Sequence, residues 1–136
     1  MDGAKAMIIL TIRTDKPEAE IGLFEDKTEL KYISWQAHRE LSLTLNSKID
    51  EILAASDKRL PDIEGIVCFK GPGSFTGLRI GMSVANALAY ALAVPIVAEH
   101  GNDWIKLGIE KIIRGQDEKI AVPDYGGPAR TTSPKK

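Results

Sequence analysis

The residues best placed by type and spacing to do chemistry lie in one run, Gly71–Gly81, which reads GPGSFTGLRIG. It follows the apolar stretch Gly65–Phe69, GIVCF, giving a strand, a glycine-rich loop and a helix in the order that many phosphate sites use. Gly71 and Gly73 permit close backbone approach, Ser74 and Thr76 can cap a helix, and Arg79 adds a cation in the first turn. Against this, no Gly-Lys-Ser/Thr follows the glycines, and Pro72 carries no N–H to donate. Phe75 sets a bulky ring at the rim, where it suits a contact surface better than a phosphate. One reading is a small ATP-binding or ATP-hydrolysing protein that uses Gly71–Thr76 with Arg79. The other is a tight structural turn, which the chemistry favours.

The rest of the chain offers little else that reacts. A carboxylate closing the first strand would hold Mg²⁺ for phosphoryl transfer, but the residue there is Arg13, and Asp15 falls in the turn before Lys16-Pro17. His38 and His100 are the only histidines and stand far apart, so the usual His/Cys metal set is not expected. Cys68 lies inside an apolar strand run, as a packed thiol would, and there is no Gly-x-Ser-x-Gly elbow. No catalytic residue and no metal ligand is expected.

The elements that must position the loop follow from hydrophobic periodicity. Of the 136 residues, 43% are hydrophobic and 27% charged, and the formal net charge is −1. That composition fits one soluble domain, and the balance gives no global field toward nucleic acid or an anionic membrane. MDGAKAM lacks the apolar core of a signal peptide, and no membrane span is expected. Met7–Ile12, Ala19–Phe24 and Leu30–Trp35 read as three strands with short links, an antiparallel meander. Leu41, Leu45, Ile49, Ile52 and Leu53 recur at helical spacing from Ala37 to Ser56. Gly65–Phe69 is a fourth strand, Gly77–Ala93 a second helix, Pro95–Ala98 a fifth strand and Asp103–Arg114 a short third helix. The order β-β-β-α-β-α-β is that of a ribonuclease H-like sheet, the unit of actin-like ATPases (the ASKHA class); connectivity alone also admits flavodoxin-like and ferredoxin-like folds. Residues 7–122 are expected to form this one lobe, and 123–136, rich in Pro, Gly and Lys, a flexible tail.

The second helix carries two stripes. Gly77, Gly81, Ala85 and Ala89 recur every four residues and leave almost no side chain; Ile80, Val84, Leu88 and Leu92 repeat at the same spacing. Each helical glycine costs about 1 kcal/mol of propensity relative to alanine, which some close packing must offset. The stripe can seat the helix on its own chain or admit a second backbone; both remain open.

The signature GPGSFTGLRIG, the small-residue helix, the short strand after Pro95, the opening MIILTIRTDKPEAEIGLF and His38 before an apolar-periodic helix together resemble the TsaB (YeaZ) family. The resemblance spans about Met7 to Val97. It implies an actin-like lobe without catalysis of its own, acting in tRNA threonylcarbamoyladenosine modification. It further implies a TsaD-like catalytic subunit or a second copy as partner, and a TsaE-like ATPase reached through the complex. tRNA would be contacted only indirectly, in the cytoplasm, with no membrane. Carried onto this chain, the docking helices are Ala37–Ser56 and Gly77–Ala93, with His38, Leu41, Leu45, Gly77, Gly81, Ala85 and Ala89 at the interface. The loop Gly71, Pro72, Gly73, Ser74, Phe75, Thr76 and Arg79 would launch the docking helix. No cofactor is expected, save ATP with Mg²⁺ at a joint interface with the partner. Arg13 stands where the family usually has aspartate, and the family's second lobe is expected to be missing.

Overall fold

In the computed structural model, residues 6–124 are described, with only the backbone described at His38. Three strands come first: β1 (Ile8–Arg13), β2 (Glu18–Glu25) and β3 (Thr28–Gln36). A 3-10 turn at His38–Glu40 then leads into α1 (Leu41–Ala55). After β4 (Gly65–Phe69) come α2 (Phe75–Leu92), β5 (Ile96–Glu99) and α3 (Trp104–Ile113). The sheet order is β3-β2-β1-β4-β5. β1–β2 and β2–β3 pair antiparallel, whereas β1–β4 and β4–β5 are parallel, as a helix between strands requires. This is the ribonuclease H-like, actin-like architecture.

The apolar runs become central strands because both of their faces are covered. β1 and β4 alternate between two cores: Leu10, Ile12, Ile66 and Cys68 meet α1 and α2, while Ile9, Val67 and Phe69 meet α3. On α1, Leu45, Ile49 and Ile52 are almost wholly buried, each burial worth roughly 1.5–3 kcal/mol. On the other face Trp104 stands edge-on to Phe69. Asp103 occupies the N-cap position of α3, but its side chain makes no capping bond.

The two sheet edges are treated differently. β3 is free, with Glu29 and Lys31 exposed along it; charge on an edge discourages further pairing. Its register slips between Leu23 and Phe24 on β2, leaving Leu30 as the extra residue. The β5 edge is closed by residues 116–124, not by a strand. Glu118 donates its N–H to the Ile96 carbonyl, and the carboxylates of Asp117 and Glu118 accept from the N–H groups of Ile96 and Ala98. The Asn86 amide of α2 then pairs with Ala121 in both directions, at 3.0 and 2.8 Å. Of the tail expected to be flexible, Asp124 is tied by its N–H to the Lys70 carbonyl, and residues 125–136 lie outside the described ones.

Asn86→Ala removes both bonds to buried Ala121. A loss of about 1–3 kcal/mol in denaturant unfolding is expected, with the Ala121 amide losing its hydrogen-exchange protection before the β4 amides do.

Candidate functional site

The signature loop is built from the end of β1. Thr14, 3% exposed, points into α2, and its hydroxyl donates to the Gly77 carbonyl at 2.8 Å. A Cβ on Gly77 would strike the Thr14 carbonyl, and one on Gly81 would strike the Thr14 hydroxyl oxygen. These glycines are bare because Thr14 fills the space. Below them Ala85 and Ala89 are buried in the core.

This corrects the expected orientation of the stripe. Gly81, Ala85 and Ala89 are covered by the chain's own residues, Gly77 is half-covered, and Leu41 and Leu45 are likewise core. Of His38, only the place of its backbone in the 3-10 turn is described. A period of four marks a helix face without saying which side meets the sheet. The stripe turned to solvent is one step round: Ser83, Ala87 and Ala91 are exposed. Beside it Ile80, Val84 and Leu88 are half-buried against the core that α1 and α2 share with the sheet. The sequence already carried this second four-residue repeat of small side chains.

Two of the loop's backbone donors are engaged within the chain. Ser74 N–H donates to the Asp15 carbonyl at 2.9 Å, and Gly77 N–H donates to the Ser74 hydroxyl at 3.3 Å. Ser74 is thus the N-cap, and α2 starts at Phe75, two residues earlier than the pattern indicated. Gly71, at φ +102°, is needed where the backbone passes the Asp124 carbonyl. A nucleotide with Mg²⁺ does not fit these groups, because Arg13 engages the Asp15 carboxylate at both oxygens, at 2.8 and 3.1 Å. The Arg13 guanidinium also lies 3.8 Å from the Phe69 ring centroid. Its pKa is raised, chiefly by that hydrogen bond to Asp15. The side chain that stands at the first-strand carboxylate position is a cation with its own counter-ion.

Other titratable groups are equally committed. Burial pushes the Cys68 thiol up, leaving no thiolate for nucleophilic work. Burial, then the hydrogen bond to Glu20 at 2.6 Å, raises Tyr32. Glu99, beneath α3, pairs with Lys111. Among the described residues, no group of three or more His, Cys, Asp or Glu side chains is placed to hold a metal ion. Among the described residues no helix is long and apolar enough to cross a membrane.

Two cavities flank the N-terminal end of α2. One, of about 340 Å³, is lined by Ser42, Phe75, Arg79, Ile80, Ser83 and Val84 among others. The second, of about 350 Å³, runs between Lys16, Arg39, Leu41, Ser74 and Thr76. Lys16, Arg39 and Ser42 had not been singled out in the sequence; they come from three separate segments, and only the fold brings them to the loop.

Residues 35–108 match the family described as TsaD, tRNA N6-adenosine threonylcarbamoyltransferase, and these span more than half of the chain. The tRNA threonylcarbamoyladenosine biosynthesis protein TsaB of Bacillus subtilis is 36% identical over 93 residues, covering 68% of this chain and 40% of that one. The chain belongs to the TsaB/YeaZ family. TsaB of Escherichia coli is 28% identical over 120 residues, 84% of this chain and 52% of the relative. A tRNA N6-adenosine threonylcarbamoyltransferase of Geotalea uraniireducens is 43% identical over 60 residues, 44% of this chain and 18% of the relative. The structure of YeaZ from Pseudomonas aeruginosa superposes with a TM-score of 0.65 at 24% identity, covering 69% of this chain and 44% of that one, a likeness of fold. The chain spans about two fifths to one half of the length of these TsaB relatives.

Gly81→Ala gains helix propensity yet is expected to lose about 1–3 kcal/mol of stability, because the new methyl meets Thr14. Adding Thr14→Ala should recover part of that loss, so a double-mutant cycle by urea unfolding shows favourable coupling above 1 kcal/mol. Strict additivity would mean that Thr14 does not occupy the stripe.

Proposed function

We propose that the chain is a non-catalytic docking subunit in the biosynthesis of tRNA threonylcarbamoyladenosine. It seats the outer side of α1 and α2 on a TsaD-like catalytic subunit. The observation that carries this reading is the exposed stripe Ser83, Ala87 and Ala91, flanked by half-buried Ile80, Val84 and Leu88. Small side chains let a second helix approach closely, and the aliphatic flank supplies apolar area to bury. Phe75 and Leu43, at 55% and 77% exposure, stand on the same two helices as further apolar contacts. The Arg13–Asp15 pair supports a subunit that positions and does not react.

In this reading residues 7–122 work as one lobe in the cytoplasm, and a TsaE-like ATPase joins through the catalytic subunit. Without the partner, the same face closes on a second copy. The ATP-hydrolysing alternative finds no support at the strand end, where Arg13 holds the Asp15 carboxylate that would bind Mg²⁺.

Ala87→Arg is the test, since Ala87 is exposed and arginine is a good helix former. Co-purification with a TsaD-like subunit is expected to fall at least about tenfold, with the thermal midpoint nearly unchanged. Undiminished binding by both Ala87→Arg and Ser83→Arg would remove this face from the interface.

A further inference from the structure

The two cavities at the N-terminal end of α2 adjoin at Thr76 and Ile80, which line both, and together make a groove. Its charged lining is Lys16 from the β1–β2 turn, Arg39 from the 3-10 turn and Arg79 from α2. No carboxylate lines either cavity. Among the described residues none pairs with these three cations, although Arg13, Lys27, Lys48, Lys111 and Lys119 each have an acidic partner. The hydroxyls of Ser42, Ser74, Thr76 and Ser83 add neutral donors along the same path. At one end the Phe75 ring is 55% exposed, with the Arg79 guanidinium 5.3 Å from its centroid.

We propose that this groove binds a short single-stranded RNA segment, its phosphates on Lys16, Arg39 and Arg79 and one base stacked on Phe75. A basic groove tracking a backbone beside an exposed aromatic ring is the chemistry by which single strands are held without sequence preference. Two cavities in a row, with cations from three elements, suit linked phosphates better than one compact anion. The groove holds phosphate through side chains. The whole-chain charge of −1 conceals this site because none of the acidic residues lines it. The contact differs from the indirect route to tRNA that the family resemblance implies; the groove shares Phe75, Ile80, Ser83 and Val84 with the docking face, so RNA occupies it only where no partner covers that face.

The test is fluorescence anisotropy of the full chain, without partner, against a fluorescein-labelled RNA of about ten adenosines. With three phosphates neutralised, log K should fall against log salt with a slope of about −2. Arg39→Gln alone should bring that slope to about −1.4. The triple variant Lys16→Gln/Arg39→Gln/Arg79→Gln should weaken binding at least about tenfold at low salt, and Phe75→Leu about fivefold or more. Lys106→Gln, on α3 across the sheet, should change neither affinity nor slope. No binding at about 20 mM salt, or binding that the triple variant keeps through the basic tail, overturns the proposal. So does ATP competing mole for mole with the RNA, which would make the groove a mononucleotide site. Equal binding of polyglutamate with Phe75→Leu neutral would make it an acidic-peptide site, and also overturns it.

Discussion

The structure depends on one steric fit, that of Thr14 against the bare backbone of Gly77 and Gly81. A threonine at the end of a central strand leaves no room for a side chain on the helix above, and its hydroxyl fixes the first turn through the Gly77 carbonyl. The cost of helical glycine, about 1 kcal/mol each, is the cost of that approach. From it follows the position of α2 on the sheet, and therefore which of its side chains face water. Phe75, Arg79, Ser83 and Ala87 are outward because Gly77, Gly81, Ala85 and Ala89 are inward.

The same region shows why the family's glycine-rich signature need not bind a nucleotide. Two of its backbone donors, the N–H groups of Ser74 and Gly77, close on Asp15 and Ser74, and the carboxylate nearest to the strand end is neutralised by Arg13. Hydrogen bonds that would meet a ligand in a phosphate loop here hold the strand end, the turn and the helix together. The outer side of the two helices exposes Leu43, Phe75, Ala87 and Ala91 among polar residues, and Arg79 lies at the N-terminal end of α2.

Much of this fold was legible because burial writes itself into composition. GIVCF is a strand with every residue buried, and the β-β-β-α-β-α-β order fixes which pairs are parallel. β3 runs from Thr28 to Gln36, longer at both ends than its apolar middle, since an exposed edge strand with a bulge at Leu30 keeps no clean alternation. The α2 stripe was legible as a stripe but not as a side, because periodicity carries no information about the wedge that Thr14 supplies. The cationic groove was not legible at all: Lys16, Arg39 and Arg79 are ordinary surface charges until the chain folds. Nor was the closure of the β5 edge, which uses the carboxylates of Asp117 and Glu118 in place of a strand.

The orientation of α2 is the claim on which the functional account stands, and cysteine scanning measures it directly. Cys68 is buried and stays silent toward alkylating reagents, so each introduced thiol reports alone. Cysteine at Ser83, Ala87 or Ala91 should alkylate readily in the free chain and become protected when a TsaD-like subunit is added, while cysteine at Ala85 or Ala89 should resist in both states. Rapid alkylation at Ala85 and Ala89, with partner-dependent protection there and none at Ala87, would contradict it.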